Sequence, residues 1–257
     1  MVKKQGKRAW FLAPVIAFGA ATFWANRQRP ARRIAGHEEI EDPVVAQSFA
    51  RIASWPQMQL LRRIVIGRAM ALTGEGLAAD IGCGPGHLVI ELAQRAPGLH
   101  LTGVDLADGM LAQATANARQ AGLAGQVDFR KGDARRLPFE DGSLDLVLST
   151  LSLHHWRQPL AVMDEIARVL RPGGAYLIFD LRRDIVPPAY TFLWFATRVV
   201  VPGSLRQINE PLASCHAAYN LAEAAELARN SSLTGWRVSP GPLWMFIEGR
   251  TLPDGDK

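Results

Sequence analysis

The amino-acid sequence predicts an α/β fold built on a doubly wound sheet of parallel strands. First, short apolar runs typical of strands alternate with helical patterns from residue 77 to residue 181. Second, the first of these runs ends in a glycine-rich turn that leads directly into a helix. Alternating strands and helices imply parallel strands joined by right-handed crossovers.

The composition is that of a globular protein. Of the 257 residues, 48% are hydrophobic and 21% are charged, which excludes a disordered chain, a collagen and a coiled coil. The net charge is +5, but residues 1–33 carry eight Lys and Arg and no acid, so the rest of the chain is mildly acidic. The two cysteines, Cys83 and Cys215, support neither a disulfide framework nor a cysteine zinc site. The six histidines show no metal-ligand spacing, and we predict no metal.

The basic N-terminal segment, residues 1–33, encloses an uncharged run of 18 residues at 9–26. A helix needs about 17 to 25 apolar residues to cross the hydrocarbon layer of a membrane. Trp10 and Trp24 lie near the edges of the run, and Trp is favoured at the membrane interface. The sequence therefore predicts a membrane anchor, a transmembrane helix at 9–26. A cleaved signal peptide and a transit peptide are the alternatives.

The next region, residues 34–75, is predicted to hold a linker and two N-terminal helices. The linker extends from residue 28 to about residue 42, before the composition becomes that of an ordinary domain. Helical periodicity then covers residues 44–53 and 58–72.

The third region, residues 76–257, carries the alternation of strands and helices. Strands are predicted at residues 77–81, 99–106, 127–131, 144–149 and 175–181. Helices are predicted between them at residues 87–96, 109–122 and 159–170.

A long insertion at residues 183–233 follows the fifth strand. It carries an aromatic cluster and, at residues 220–228, an amphipathic helix. The cluster consists of Tyr190, Phe192, Trp194 and Phe195. A helix packed on the sheet and an apolar lid over a binding pocket are the two interpretations of this cluster.

The glycine turn after the first strand lies where a doubly wound sheet binds its ligands, beyond the carboxyl ends of the strands. Gly82, Gly84 and Gly86 allow the backbone to turn tightly and to approach a ligand. Their spacing is shorter than the GxGxxG typical of nicotinamide-binding sheets. Asp105 follows 19 positions after Gly86, where a carboxylate can accept hydrogen bonds from both hydroxyls of a ribose. These positions indicate a nucleoside.

Two further acidic residues restrict the chemical class of the ligand. Asp80 stands two positions before the glycine turn, where its charge would repel a pyrophosphate but suit an ammonium group. After the third strand, Asp133 and Ala134 offer a carboxylate and a backbone N–H that can read the edge of an adenine. Together these positions predict S-adenosyl-L-methionine as the cofactor.

Four stretches of the chain resemble the class I S-adenosylmethionine-dependent methyltransferases, particularly the branch of ubiquinone and menaquinone C-methyltransferases. They are AADIGCGPG (78–86), LTGVDLADGM (101–110), GDARRLPFEDGSLDLVLSTLSLHHW (132–156) and RVLRPGGAYLIFD (168–180). The resemblance implies a Rossmann-like, mostly parallel seven-stranded sheet with a C-terminal antiparallel hairpin. Residues 236–238 and 243–249, joined through Ser-Pro-Gly-Pro, would supply the hairpin. The resemblance also implies a methyltransferase domain over residues 76–257, with the insertion on the acceptor side.

The resemblance also implies roles for the residues already singled out. Gly82, Gly84 and Gly86 form the turn that lines the methionine part of the cofactor, and Asp80 lies near its amino group. Asp105 holds the ribose, and Leu106 packs on the adenine. The remaining predicted contacts are those of Asp133 and Ala134 with the adenine edge and of Ser149 with the methionine moiety.

The candidate catalytic residue is His154, which follows the fourth strand beside His155. Methyl transfer from a sulfonium needs alignment, desolvation and, for some acceptors, a base. A purely structural role for the histidine pair is the alternative. Cys83 is interpreted as a small packing residue.

The acceptor is predicted to be a small lipophilic molecule such as a quinone, a sterol or a lipid. A water-soluble metabolite and a non-catalytic S-adenosylmethionine-binding accessory protein are the alternatives, and a nicotinamide-dependent reductase is disfavoured by Asp80. Nucleic acid is not expected, because Ser149-Thr150-Leu151-Ser152 stands where amino-directed nucleic-acid methyltransferases carry Asn-Pro-Pro-Tyr. Since the cofactor is made in the cytoplasm, a membrane-anchored domain would face the cytoplasmic side.

Overall fold

A single seven-stranded sheet organises the protein, whose computed structural model describes residues 7–35 and 43–253. The strands are β1 (Glu75–Ile81), β2 (Gly98–Asp105), β3 (Val127–Lys131), β4 (Leu144–Thr150), β5 (Leu170–Leu181), β6 (Arg237–Pro240) and β7 (Trp244–Arg250). Their order in the sheet is β3-β2-β1-β4-β5-β7-β6. The first five strands are parallel, and β7 pairs antiparallel with both β5 and β6. The predicted fold class, including the C-terminal hairpin, is confirmed.

Ten helices lie in the described part of the chain. They are α1 (Lys7–Arg27), α2 (Pro43–Ala53), α3 (Pro56–Leu72), α4 (His87–Arg95), α5 (Asp108–Gln120), α6 (Pro159–Val169), α7 (Pro187–Val199), α8 (Gly203–Gln207), α9 (Leu212–Ala217) and α10 (Leu221–Asn230). A short 3-10 turn, Leu153–His155, follows β4.

Helices bury both faces of the sheet. On one face α3 and α4 supply Ile66 and Leu92 to an apolar core that also holds Leu146 of β4. On the other face α6 and α10 supply Met163 and Ala224. Each large aliphatic side chain buried in this way stabilises the fold by roughly 1.5 to 3 kcal/mol. The two cores fix the strand ends from which the functional side chains project.

The fifth strand begins earlier than the sequence predicts. Its start was expected at residue 175, after the Arg-Pro-Gly-Gly stretch, but α6 ends at Val169 and Leu170 already pairs with Leu144. The register then shifts, so that Leu146 pairs with Ala175 and residues 171–174 loop out between the two pairs. Such a bulge accommodates a proline, which cannot donate a hydrogen bond to the neighbouring strand.

The insertion contains more helix than the sequence indicates. The predicted helix at 220–228 corresponds to α10, but α8 and α9 were not predicted. Helix α7 packs against α1, where Trp24 and Trp194 meet edge to face with their ring centroids 5.5 Å apart. Ala25 of α1 is fully buried in the same contact region.

The predicted membrane anchor at 9–26 requires correction. Within residues 7–35 and 43–253, no helix has the combination of length and apolar character that crossing a bilayer demands. The described C-terminal part of α1 instead packs on the domain, and the Asn26 side chain donates a hydrogen bond to the carbonyl of Pro187. This finding overturns the predicted transmembrane helix and, with it, the predicted membrane-anchored location.

Candidate active site

The glycine turn joins β1 to α4 at the carboxyl edge of the sheet. Gly82, Gly84 and Gly86 all have positive φ angles, of 73°, 51° and 75°, which favour glycine. A Cβ at Gly82 would collide with the Ser152 hydroxyl, and one at Gly86 would collide with the Phe129 ring. At Gly84, by contrast, a Cβ would have no protein atom within 4 Å. The backbone at Gly84 therefore faces open space, as a ligand-binding turn requires.

Asp80 is a buried carboxylate without a complete set of partners. It is only 2% exposed, and within the described part of the chain its Oδ1 atom has no hydrogen-bond partner. Burial, together with the negative charge of Asp105, raises the pKa of Asp80 from 3.8 to about 7. A buried carboxylate of this kind is costly unless a cation or a donor pairs with it. The site thus suits a ligand that brings an ammonium group.

Asp105 connects the end of β2 to the glycine turn. Its Oδ2 atom accepts a hydrogen bond from the Gly84 backbone N–H at 2.8 Å, and its Oδ1 atom accepts one from the Ala107 N–H at 3.0 Å. Burial raises the pKa of Asp105, and these backbone hydrogen bonds oppose the rise. A carboxylate oxygen can accept a second hydrogen bond, so the oriented carboxyl group can still bind two hydroxyls. Leu106 follows it and is half-buried.

The other predicted cofactor contacts are Asp133, Ala134 and Ser149, and two of these side chains already have partners within the protein. The Asp133 carboxylate forms an ion pair with Arg135 at 2.6 Å, and the hydrogen bond from Arg135 lowers the pKa of Asp133. Ala134 is half-buried beside it. Ser149 is fully buried, and its hydroxyl donates to the Ile81 carbonyl at 2.8 Å. That hydroxyl is therefore already engaged with β1.

His154 forms a pair with Asp180, a residue that the sequence analysis did not single out. Nδ1 of His154 lies 2.7 Å from Oδ1 of Asp180, and the His154 backbone N–H donates to Oδ2, also at 2.7 Å. Both side chains are buried. Asp180 could have been found from the sequence, because it is an acidic residue at the end of the otherwise apolar β5. The same pattern identified Asp80 at the end of β1.

This pairing sets the chemistry of the imidazole. With Nδ1–H directed at Asp180, the lone pair lies on Nε2, which has no hydrogen-bond partner in the described structure. Burial alone would lower the pKa of His154. The charge and the hydrogen bond of Asp180, with a contribution from Glu210, outweigh burial and raise that pKa above 6.5. The arrangement can take up a proton at Nε2 and stabilise the resulting cation.

The predicted aromatic cluster of the insertion is divided between two environments. Tyr190 is fully buried, and its hydroxyl lies 2.8 Å from Nε2 of His216. Trp194 packs against Trp24 of α1. Phe192 and Phe195 point outward and are 65% and 50% exposed. The four rings therefore do not form one lid.

Neither cysteine is arranged as a nucleophile. Cys83 and Cys215 are both buried and free. Burial raises the pKa of each thiol, which keeps it protonated and unreactive. A Cβ at Gly103 would lie 2.8 Å from the Cys83 sulfur, so Cys83 fills a tightly packed space next to β2.

Comparison with known proteins assigns residues 79–178 to a methyltransferase domain family. A demethylmenaquinone methyltransferase of Deinococcus radiodurans is 28% identical over 240 residues, which cover 85% of this chain and 95% of that protein. A 27-O-demethylrifamycin SV methyltransferase of Amycolatopsis mediterranei is 38% identical over 101 residues, 39% of this chain and 37% of that protein. The matched region thus spans nearly all of the first relative but about a third of the second.

Solved structures agree on the fold. An S-adenosyl-L-methionine-dependent methyltransferase from Methanococcus maripaludis superposes with a TM-score of 0.66 at 19% identity. The superposition covers 87% of this chain and 100% of that one.

Proposed function

We propose that the chain is an S-adenosylmethionine-dependent methyltransferase and that it methylates a small lipophilic acceptor with a quinone-like ring. The observation that carries the acceptor class is the match over 95% of the length of a demethylmenaquinone methyltransferase. A water-soluble metabolite is the runner-up acceptor. The domain boundaries proposed with this function are residues 1–33, 34–75 and 76–257.

The proposed cofactor contacts follow from the carboxyl edge of the sheet. Asp80 pairs with the ammonium group of the methionine part, which its unpartnered buried oxygen favours. The open space at Gly84 allows the backbone to approach the ligand closely. Asp105, held by Gly84 and Ala107, binds the ribose hydroxyls, while Leu106 packs on the adenine. The cofactor, when bound, supplies a methyl group on a sulfonium.

For the adenine edge we propose Asp133 and Ala134. Asp133 would share its carboxylate between Arg135 and an exocyclic amino group, since a carboxylate has about four acceptor sites. Ser149 is proposed to shape the wall beside the methionine part, because its hydroxyl is engaged with the Ile81 carbonyl.

The proposed catalytic base is His154. A ring hydroxyl of the acceptor gives its proton to Nε2, which raises the electron density of the ring or of the oxygen that attacks the methyl group. Asp180 holds the Nδ1–H and stabilises the imidazolium by its negative charge. A base of this kind contributes typically about 100-fold to 10,000-fold to a rate.

A hydroxyl acceptor that becomes methylated at oxygen is the second candidate. The buried pair of His154 and Asp180 suits removal of a hydroxyl proton, and one relative is named for methylation at a 27-O position. Both candidates share the base and differ in whether carbon or oxygen takes the methyl group.

The test of function is transfer of a labelled methyl group. The full-length protein is incubated under anaerobic, reducing conditions with methyl-labelled S-adenosylmethionine and with the hydroquinone form of a demethylmenaquinone carrying a short prenyl tail. Parallel incubations contain separately extracted lipid and aqueous metabolite fractions. Mass spectrometry of the product then locates the label. We expect label in the quinone or in the lipid fraction, and its loss in the His154→Ala variant.

Two outcomes would contradict this proposal. Label confined to the aqueous fraction would replace the lipophilic acceptor with a soluble one. No labelled product from any fraction, in a sample that still binds S-adenosylhomocysteine, would favour a non-catalytic accessory protein.

A further inference from the structure

Residues 28–35, which follow α1, are hydrogen-bonded to the insertion at residues 183–233 and to the turn after β4. We call this segment the arm. Its Arg29 donates to the Ile185 carbonyl at 2.7 Å, and its Ile34 N–H donates to the His216 carbonyl at 3.0 Å. From the domain, Arg183 donates in turn to the Ala31 carbonyl at 3.2 Å. The arm is therefore held by hydrogen bonds in both directions, at several points along its length.

Arg33 is the arm residue that reaches the candidate base. Its Nη2 atom donates to the backbone carbonyl of His154 at 3.0 Å, and its Nε atom donates to the Ala217 carbonyl at 2.5 Å. The same guanidinium lies over the ring of Tyr219, 4.3 Å from its centroid. One side chain thus joins the turn after β4 to the end of α9.

The imidazole of His154 is buried on all sides that could reach solvent. His154 is 2% exposed, and its Nε2 atom is buried without a hydrogen-bond partner in the described structure. A base in this position can take a proton only from a group that comes within hydrogen-bond distance of Nε2. An acceptor must therefore displace something that covers the imidazole. Arg33 contacts the backbone of His154, and the arm belongs to none of the described strands or helices.

We propose that the arm is a gate on the acceptor side of the methyltransferase site and that Arg33 is its latch and a positioning residue for His154. This inference rests on the proposed role of His154 as the base. With Arg33 in place, the turn Leu153–His155 is held and the imidazole is closed off. Release of Arg33 frees the arm and opens a path to Nε2.

Arg33 also influences the charge on His154. The charged groups around the imidazole are Asp180 on β5, Glu210 before α9 and Arg33 on the arm. The His155 ring lies beside the imidazole with the ring centroids 4.0 Å apart and the planes inclined by 40°. Asp180 and Glu210 favour the imidazolium, whereas the positive charge of Arg33 opposes it and lowers the pKa of His154. A closed latch therefore keeps more of the His154 population neutral, the form that accepts a proton.

The chain supplies a matched control in the neighbouring residue. Arg32 is exposed and, within the described residues, forms no hydrogen bond or ion pair. The variants Arg32→Ala and Arg33→Ala make the same change in charge and size at adjacent positions of the arm. Only the second removes a contact with the turn that carries His154.

The experiment measures the accessibility of Nε2 without any acceptor. Full-length protein saturated with S-adenosylhomocysteine is treated with diethyl pyrocarbonate at pH 8, which modifies neutral imidazole, and tandem mass spectrometry gives the rate at each histidine. We expect Arg33→Ala to accelerate modification of His154 about tenfold or more, because opening the arm no longer breaks hydrogen bonds from a charged donor. Arg32→Ala should match the wild type, and exposed His100 should react equally in all samples.

Arg33→Lys provides the conservative variant. A lysine keeps the positive charge but cannot bond both the His154 and Ala217 carbonyls with a planar fork, so we expect a rate between those of the wild type and of Arg33→Ala. Equal His154 rates in Arg33→Ala and Arg32→Ala would overturn the latch. So would an Arg33→Ala variant in which half-buried His87 accelerates as much as His154, because that pattern indicates general loosening. These rates need no turnover, so they stand apart from the labelled-methyl test of function.

Discussion

Asp80 shows how one buried side chain can couple ligand binding to pH. Its pKa of about 7, against 3.8 in an unperturbed carboxyl, means that the folded protein holds this proton more tightly than the unfolded chain does. In the absence of ligand, the stability that protonated Asp80 contributes is present at low pH and is lost as the pH rises through about 7. A bound ammonium reverses the preference, because it stabilises the carboxylate.

The affinity for S-adenosylhomocysteine should therefore weaken as the pH falls below about 7. The limiting change is about tenfold per pH unit if one proton must leave Asp80 on binding. Calorimetric titrations between pH 5.5 and 8 measure this slope. Asp80→Asn should bind more weakly at pH 8 and lack the slope, whereas a slope that persists in this variant would assign the proton to another group.

Asp180 controls the base through charge and through orientation, so its replacement should change two separate observables. With the acceptor found by methyl labelling, we expect Asp180→Asn to lower kcat by about 100-fold or more. We also expect the acid limb of the pH profile to move to lower pH, because Asp180 raises the pKa of His154. Affinity for S-adenosylhomocysteine, measured by calorimetry, should stay unchanged.

The control for that variant is Asp184→Asn. Asp184 is four residues further along and forms an ion pair with Arg182 at 2.8 Å near the surface. A similar loss of kcat in both variants would mean that the loss comes from a general disturbance after β5. It would count against a specific role of Asp180.

Functional side chains within one short stretch of sequence could be predicted, but contacts between residues far apart in the sequence could not. Asp80 and the glycine turn that follows it lie within the nine residues 78–86, so their pattern can be recognised from the sequence alone. The partnership of His154 with Asp180 depends on β4 and β5 being neighbours, which brings together two residues 26 positions apart. A periodicity argument does not state which strand-end side chains will face each other.

Among the helices, α10 has a complete capping box that ties the insertion to the domain. The Asn220 side chain accepts from the Glu223 N–H at 2.8 Å, and the Glu223 carboxylate accepts from the Asn220 N–H at 2.9 Å. Glu223 also pairs with Arg183, which contacts the arm. The N-terminus of α10 is thus connected to the arm through Arg183.

We expect Asn220→Ala to lower the free energy of unfolding by about 1 kcal/mol, the usual value of an N-cap. Denaturant unfolding followed by circular dichroism measures the change. Asn230→Ala, at the other end of the same helix, serves as the control and should have a smaller effect. Equal losses in the two variants would indicate that helix propensity matters more than the cap.

The element that the sequence misassigned is α1. An uncharged run of 18 residues has the composition of a membrane span, but side chains at the described C-terminal end of α1 contact α7 and its neighbours instead. Ala25 is buried against the region of Tyr190 and Cys215, and Trp24 contacts Trp194. Hydrophobicity alone does not distinguish a lipid partner from a protein partner. For the same reason the aromatic residues of α7 left two interpretations open, a helix packed on the sheet and an apolar lid.

For the whole molecule, the alternation of strands and helices was sufficient to predict the sheet. Right-handed crossovers and short connections leave few topologies, and the observed order β3-β2-β1-β4-β5-β7-β6 is one of them. The path of the arm was not predictable in this way. Its contacts join residues more than 100 positions apart and depend on single arginine side chains, of which Arg33 is the example.

The thermal stability of the whole chain offers a last prediction, since a ligand that binds only the folded state stabilises it by mass action. S-adenosylhomocysteine at about 100 times its Kd should contribute about 2.7 kcal/mol. For a protein of this size that corresponds to a rise in Tm of roughly 5 to 10 °C, measurable by scanning calorimetry. Asp105→Ala should lose most of the rise at the same ligand concentration, because the carboxylate proposed to bind the ribose is gone. NADPH should leave Tm unchanged, because Asp80 repels a pyrophosphate at the glycine turn. An equal rise with NADPH would contradict the assignment of this turn to an amino-acid-linked nucleoside.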